Sequence, residues 1–286
     1  MFLPRKNLEE KLQTMLAEDI GQSDITTALI VPSDSTAEAE VIAKETGIIA
    51  GIEEAKILVE SLGLEATVLV SDGQKLKAKS ILMEISGDTR TILSVERTLL
   101  NIISHMSGIA TTTRKLREKI RKAKLKTRIA CTRKVAPGLL YFDKKAVLIG
   151  GGDTHRLHLD DMVLIKDNHI VVAGSLKKAI EKARKEASFS KKLEVEVTKT
   201  KDALVAAKAG ADIIMLDNFS PRQIEKAIKM LRREHLYGKA MLEASGRITA
   251  ENILAYAETG VDIVSLGEIT SSTKTLDVSL EIKKTT

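Results

Sequence analysis

"LEVEVTKTKDALVAAKAGADIIMLDNFSPRQIEKAIKMLRRE", residues 193–234, decides the fold. Two short apolar runs, LEVEVT (193–198) and ADIIMLD (211–217), alternate with amphipathic stretches at 201–209 and 221–234. Short, near-continuous apolar strands joined by helices are βα units, and their repetition implies a parallel sheet covered by helices. The rhythm continues on both sides. RIACT (128–132), AVLIGGG (146–152), DMVLIKD (161–167), KAMLEAS (239–245) and VDIVSLG (261–267) read as further strands, with helices at 175–187 and 249–259. Each run finishes at or beside polar or glycine residues: Arg133 and Lys134, Gly150 to Gly152, Lys166, Glu196, Asp217, Ser245 and Gly267. In a parallel sheet these ends share one edge, and in a closed barrel they converge on one mouth. Polar groups that are costly in a core are tolerated there, so their convergence favours a barrel or near-barrel over an open sheet.

The first hundred residues follow a different pattern. NLEEKLQTMLAED (7–19) has helical spacing, with Asn7 as a candidate N-cap. STAEAEVIAKETGIIAG (35–51), EATVLV (65–70) and KAKSILMEISG (77–87) are strand-like, and IEEAKILVESLG is helical. RTILSVERTLLNIISHMSGIA (90–110) reads as a helix leading out of this region. The expected division is an N-terminal α+β domain over 1–110 and an α/β barrel over 111–270, with a tail, 271–286, packing back on the first domain.

Composition narrows the function classes. The chain has 286 residues, enough to bury a sizeable core, but no Trp and few aromatics, which disfavours base stacking as a binding mode. The single cysteine, Cys131, excludes an intrachain disulfide, and no apolar run reaches the length of a membrane span. With no secretory leader pattern at the start, a cytoplasmic setting is expected. The net charge of +6 is concentrated between Arg114 and Arg128, where nine Lys or Arg face one Glu. Leu116, Ile120 and Ala123 fall at helical spacing there, which reads as a helix with a solvated cationic face. An acidic partner such as nucleic acid is the alternative.

GGGDTHRLHLDDMVLIKDNHI (150–170) concentrates polar chemistry. His155 and His158 have an H-x-x-H spacing and His169 follows, but no cysteine or H-E-x-x-H accompanies them, so the pattern does not make a zinc site. Gly150 to Gly152 match neither the dinucleotide nor the P-loop pattern. Anion binding rests instead on Arg133, Lys134, His155, Arg156 and Lys166, all at or near strand ends, where they suit a ligand with several negative groups. Glu196 and Asp217 oppose them. Asp217 could cap the helix opened by DNFSPRQ, or the two acids could hold Mg²⁺, which takes one or two carboxylates together with substrate oxygens. Ser245, Gly246 and Gly267 lie where late barrel loops seat a phosphate, though a helix cap with a turn glycine gives the same pattern.

At these residues the sequence resembles the quinolinate phosphoribosyltransferases. The resemblance runs through AEDIGQSDITT (17–27), GIIAG (47–51), VERTLLNIISHMSGIAT (95–111), CTRKVAPGL (131–139), the 150–170 stretch, VEVT, MLDN, EASG and VDIVSLGEIT. It implies an open, incomplete α/β barrel with an N-terminal α+β sandwich domain, assembled as a homodimer or higher oligomer. It also implies transfer of the phosphoribosyl group of PRPP to quinolinate, giving nicotinate mononucleotide, pyrophosphate and CO₂ for NAD synthesis, with Mg²⁺ as cofactor and neither membrane nor nucleic acid as partner. By matching motifs, Arg133, His155, Arg156 and Lys166 would hold the quinolinate carboxylates, joined by Arg97 from the neighbouring subunit. Lys134 and Lys166 would face pyrophosphate, Glu196 and Asp217 would serve magnesium and ribose, and Ser245, Gly246 and Gly267 the 5-phosphate. Lys134, Lys166, Glu196 and Asp217 are the expected catalytic set. Three departures stand out: Val135 where the family commonly has Thr, Arg247 where a second Gly is usual, and no histidine in ITSSTKTLD. A related molybdenum-transport-associated protein departs from LIKDNH, which this chain keeps.

Overall fold

The computed structural model describes residues 3–286, which divide into two compact units. The first unit comprises residues up to Arg114, Tyr141–Gly151 and Thr273–Thr286; the second comprises Lys115–Leu140 and Gly152–Ser272.

Helix α1 (Arg5–Ile20) buries Leu8, Leu12 and Leu16, one turn apart on a single face. It starts before the expected cap: Pro4 occupies the N-cap position and Asn7 lies inside the first turn. Helix α2 (Ile25–Ile30) is capped by Asp24, whose carboxylate accepts from the Thr27 amide at 3.0 Å. Then follow β1 (Thr36–Ala43), β2 (Gly47–Ile48), α3 (Ile52–Ser61), β3 (Glu65–Val68), β4 (Lys75–Leu76) and β5 (Ile81–Asp88). β1 and β3 each pair antiparallel with β5, and β2 pairs with β4.

Helix α4 (Thr89–Lys122) joins two stretches that the sequence presents separately, the apolar 90–110 segment and the basic segment. Leu116 and Ile120 are buried as expected, whereas Ala123 lies past the helix end and is exposed. Lys124 then takes a left-handed backbone, and Arg128 already starts β6 (Arg128–Cys131).

The stretch AVLIGGG corrects the reading most. It is not a strand but the end of α5 (Leu140–Gly150), which from Tyr141 onward belongs to the first unit. Phe142, Ala146, Val147 and Gly150 are buried along it, a helical spacing that an apolar run hides. Gly150 serves close packing rather than anion binding: an added Cβ would lie 2.5 Å from Thr113 Cβ and 2.7 Å from the Ala110 carbonyl. Arg114 donates to the carbonyls of Gly150 and Ile149 at 3.0 and 3.1 Å, closing the helix C-terminus.

The second unit continues with β7 (Val163–Ile165), α6 (Asp167–Ala173), α7 (Leu176–Glu186), β8 (Leu193–Val197), α8 (Thr200–Lys208) and β9 (Ile213–Asp217). After them come α9 (Pro221–Arg233), β10 (Met241–Ser245), α10 (Ile253–Ala257), β11 (Ile263–Leu266) and α11 (Glu268–Ser271). Its six strands run in the order β6-β11-β10-β9-β8-β7, every neighbouring pair parallel. A doubly wound sheet reverses its order at a switch point. Here β7 to β11 follow chain order and β6, the first strand, pairs with β11, the last. The sheet therefore curls into a barrel, left open between β6 and β7 because no ladder joins them. Asp212 and Asp262, before β9 and β11, accept from the Leu193 and Leu242 amides at 2.6 and 2.8 Å and lock the start of neighbouring strands.

The last strand, β12 (Val278–Thr285), belongs to the first unit, where it pairs antiparallel with β1 and completes the sheet β12-β1-β5-β3.

Candidate active site

Strand alternation builds the site. In β8, Leu193, Val195 and Val197 are buried on one face, while Glu194 and Glu196 share the other. The register aligns Glu196 with Met215, Met215 with Glu243, Asp217 with Ser245, and Ser245 with Ser265. These inward residues and the loops beyond them line a cavity of about 820 Å³ in the second unit. Arg133, Lys134, His155, Arg156, Lys166, Glu196, Asp217, Ser245, Gly246 and Gly267 all line it. Arg97 does not; it is exposed on α4.

The three histidines of the 150–170 stretch separate. His155 reaches the cavity, His158 is exposed, and His169 Nδ1 accepts from the Lys166 amide at 2.9 Å at the start of α6. Asp161 orders the intervening loop by accepting from the Leu157 and His158 amides at 2.5 and 3.0 Å. Asp217 is no helix cap: Ser220 caps α9 and Gln223 completes its capping box.

Below His155 lie two residues that strand-end reasoning missed. His155 Nε2 is 3.0 Å from Glu194 Oε2 and 3.3 Å from Glu243 Oε2, and both glutamates are fully buried. Ser265 donates to the other Glu243 oxygen at 2.5 Å. Burial alone would push the His155 imidazole down, but the two carboxylates reverse this and raise it to about 10. Burial, reinforced by Glu243, pushes the Glu194 carboxyl up. The available signal was an acid inside an otherwise apolar parallel strand, in LEVEV and in KAMLEAS; such a group is costly unless paired.

Arg133 and Arg156 lie close enough to repel. The Arg156 guanidinium is pushed down by burial first and by Arg133 second. Glu194 and Asp161 act on Arg156 in the opposite sense, but among the described residues neither arginine forms an ion pair within 4.0 Å, and two neighbouring guanidinium groups without a contacting acid suit an anionic ligand. Lys166 Nζ donates to Glu196 Oε2 at 2.8 Å, and Asn218 Nδ2 donates to Asp217 Oδ2 at 2.7 Å. Lys134 is anchored through its backbone: its amide donates to Thr132 Oγ1 at 3.1 Å and its carbonyl accepts from Thr270 Oγ1 at 2.9 Å.

Acidic groups that could hold a metal ion are present. Ligand atoms of His155, Glu194 and Glu243 lie within 4.8 Å of one another, as do those of Glu53, Glu54 and Asp72. Both sets already contain or contact a cation of the chain, the imidazole in the first and Lys145, 2.7 Å from Glu54, in the second. Neither includes Glu196 or Asp217.

A parallel barrel whose mouth gathers arginines and lysines together with carboxylates in one cavity has the form of an α/β-barrel enzyme. Comparison with known proteins makes the class specific. Residues 24–107 match the N-terminal domain of quinolinate phosphoribosyl transferase, and residues 109–281 match its C-terminal domain. A probable nicotinate-nucleotide pyrophosphorylase (carboxylating) of Methanothermobacter thermautotrophicus is 43% identical over 272 residues, covering 95% of this chain and 98% of that protein. The nicotinate-nucleotide pyrophosphorylase (carboxylating) of Rattus norvegicus is 35% identical, with 98% and 93% covered. The solved structure of the nicotinate-nucleotide pyrophosphorylase from Francisella tularensis superposes with a TM-score of 0.89 at 41% identity, covering 99% of this chain and 98% of that one. The chain belongs to the quinolinate phosphoribosyl transferase family.

Proposed function

We propose that this protein transfers the phosphoribosyl group of PRPP to the ring nitrogen of quinolinate, releasing pyrophosphate and CO₂ and forming nicotinate mononucleotide for NAD synthesis. Family membership supports the reaction. The observation in the fold that carries it is the pair of mutually repelling cations, Arg133 and Arg156, beside a positively charged His155. Two carboxylates on one small ring match that charge and the planar donors of arginine.

Arg133, His155 and Arg156 hold the dicarboxylate, with Lys166 at the next strand end. Arg97, exposed on α4, completes the pocket of a neighbouring subunit in a homodimer. Lys134 and Lys166 face the pyrophosphate, and Ser245, Gly246 and Gly267 seat the 5-phosphate. Glu196 Oε1 and Asp217 Oδ1 accept no hydrogen bond among the described residues, a hard-oxygen donor set that fits Mg²⁺. When bound there, Mg²⁺ supplies positive charge against the departing pyrophosphate. The two carboxylates would also offset the oxocarbenium character that the ribose C1 gains. Attack by the pyridine nitrogen forms the new bond as the C1–O bond to pyrophosphate breaks. The ring nitrogen is then cationic and stabilises the electron pair left at C2 when the C2–carboxylate bond breaks and CO₂ departs, and C2 then takes a proton from solvent to give nicotinate mononucleotide. The chain contributes positioning and fixed charge, with no covalent intermediate on a side chain.

Folded protein incubated with Mg²⁺, PRPP and quinolinate is expected to release CO₂ and nicotinate mononucleotide. Absence of product across pH and salt refutes the assignment, and product from nicotinate instead shows that the dicarboxylate pocket is misassigned.

A further inference from the structure

We propose that Arg247 is an additional clamp on the phosphate monoester of the phosphoribosyl donor, closing over the seat made by Ser245, Gly246 and Gly267; it rests on the assignment of that seat above. Arg247 lines the cavity next to Ser245, Gly246 and Thr249. It is exposed, and among the described residues its guanidinium takes part in no hydrogen bond or ion pair, so its donors are available to a ligand.

The backbone makes the residue type informative. Arg247 has φ +53° and follows Gly246 at φ +92°, so two successive residues are left-handed. Glycine adopts that conformation without strain and arginine does not. The shape is imposed by neighbours: Asn252 Nδ2 donates to the Arg247 carbonyl at 3.1 Å, its Oδ1 accepts from the Thr249 amide at 2.8 Å, and the Asn218 amide donates to the Ser245 carbonyl at 2.8 Å. Gly246 packs so closely that a Cβ there would lie 2.9 Å from the Asn218 amide nitrogen. A loop held this firmly presents an arginine from a position where glycine would be the relaxed choice, and strain of this kind concentrates at ligand clamps. The guanidinium fork matches phosphate oxygens, and its place beyond β10 separates it from Arg133 and Arg156, which serve the dicarboxylate.

The test compares wild type with Arg247→Gly and Arg247→Lys. KM is measured separately for PRPP and quinolinate, ribose 5-phosphate affinity by calorimetry, and thermal midpoint by melting. The glycine variant is expected to raise the PRPP KM and weaken ribose 5-phosphate binding about tenfold, the scale of one charge-assisted contact. Its quinolinate KM should be unchanged and its midpoint equal or higher, because strain is relieved; lysine should restore part of the affinity. Unchanged PRPP KM and ribose 5-phosphate affinity in folded Arg247→Gly overturn the clamp, as do equal losses for both substrates or a wild type that does not bind ribose 5-phosphate. Calorimetry requires no turnover. A wild type that binds ribose 5-phosphate through Arg247 but forms no nicotinate mononucleotide sinks the reaction and leaves the clamp standing.

Discussion

At the scale of single residues, His155 shows how a buried charge is maintained. Its imidazole, held above its ordinary range to about 10 by Glu194 and Glu243 despite burial, stays cationic across the neutral range. The ring signals of His155 in NMR are therefore expected to stay in their protonated positions from about pH 6 to 8.5, where an ordinary histidine titrates. Because the folded value lies above the unfolded one, the stabilisation is complete below about pH 6.5 and is lost as pH rises through 10. His155→Gln should cost about 3 kcal/mol in urea unfolding at pH 7, since it leaves two buried carboxylates uncompensated. The deficit relative to wild type should shrink toward pH 10; a deficit independent of pH would mean that the charge of the ring is not what matters. His155 itself was legible in the sequence as part of a cationic set. Its partners were not, because Glu194 and Glu243 lie in mid-strand and only the barrel's curvature aims them at one imidazole.

At the scale of elements, α5 and α4 carry the clearest lesson. An apolar run ending in glycines fits a buried strand and a buried helix equally well until something shows what it packs against. In the fold it is the end of α5, with Gly150 packed closely against Thr113 and Ala110. Gly150→Ala should destabilise the protein by about 2 kcal/mol through overpacking, measured by denaturant midpoint, with the slope of unfolding unchanged. The basic end of α4 makes the opposite prediction. Lys115, Arg117, Arg121 and Lys122 are exposed and do not line the cavity. Replacing all four by Gln should leave turnover within about twofold, while Arg133→Ala or Lys166→Ala should lower it at least about a hundredfold. The reverse ranking, with salt-sensitive nucleic-acid binding lost in the quadruple variant, would favour the acidic-partner reading of this segment.

At the scale of the whole molecule, stability against pH should carry the mark of a second buried charge cluster, in the first unit. Asp72 is raised to about 6, by burial first and by repulsion from Glu54 and Glu53, with the Ile52 amide and Lys145 opposing. A carboxyl whose folded value lies above its unfolded one favours the fold when neutral, so its contribution is greatest below about pH 4 and is lost as pH rises through 6. Asp72→Asn should therefore gain stability over wild type above pH 6, on the order of 2 kcal/mol at pH 8, and little at pH 4. Melting curves at both values check this, and a gain of equal size at both would rule out ionisation as its source.

By itself the amino-acid sequence determined the βα rhythm, the polar strand ends and the charged residues of the mouth, because apolar periodicity and local charge are properties of neighbouring residues. Only the tertiary structure decided that AVLIGGG is helical, that the barrel has six strands and an open seam, and that Glu194 and Glu243 meet His155. It also decided that Arg247 sits in a left-handed backbone beside Ser245 and Gly246 at the cavity. These facts depend on which distant segments touch, and closure of the sheet fixes that, not the residues next to each one in the chain.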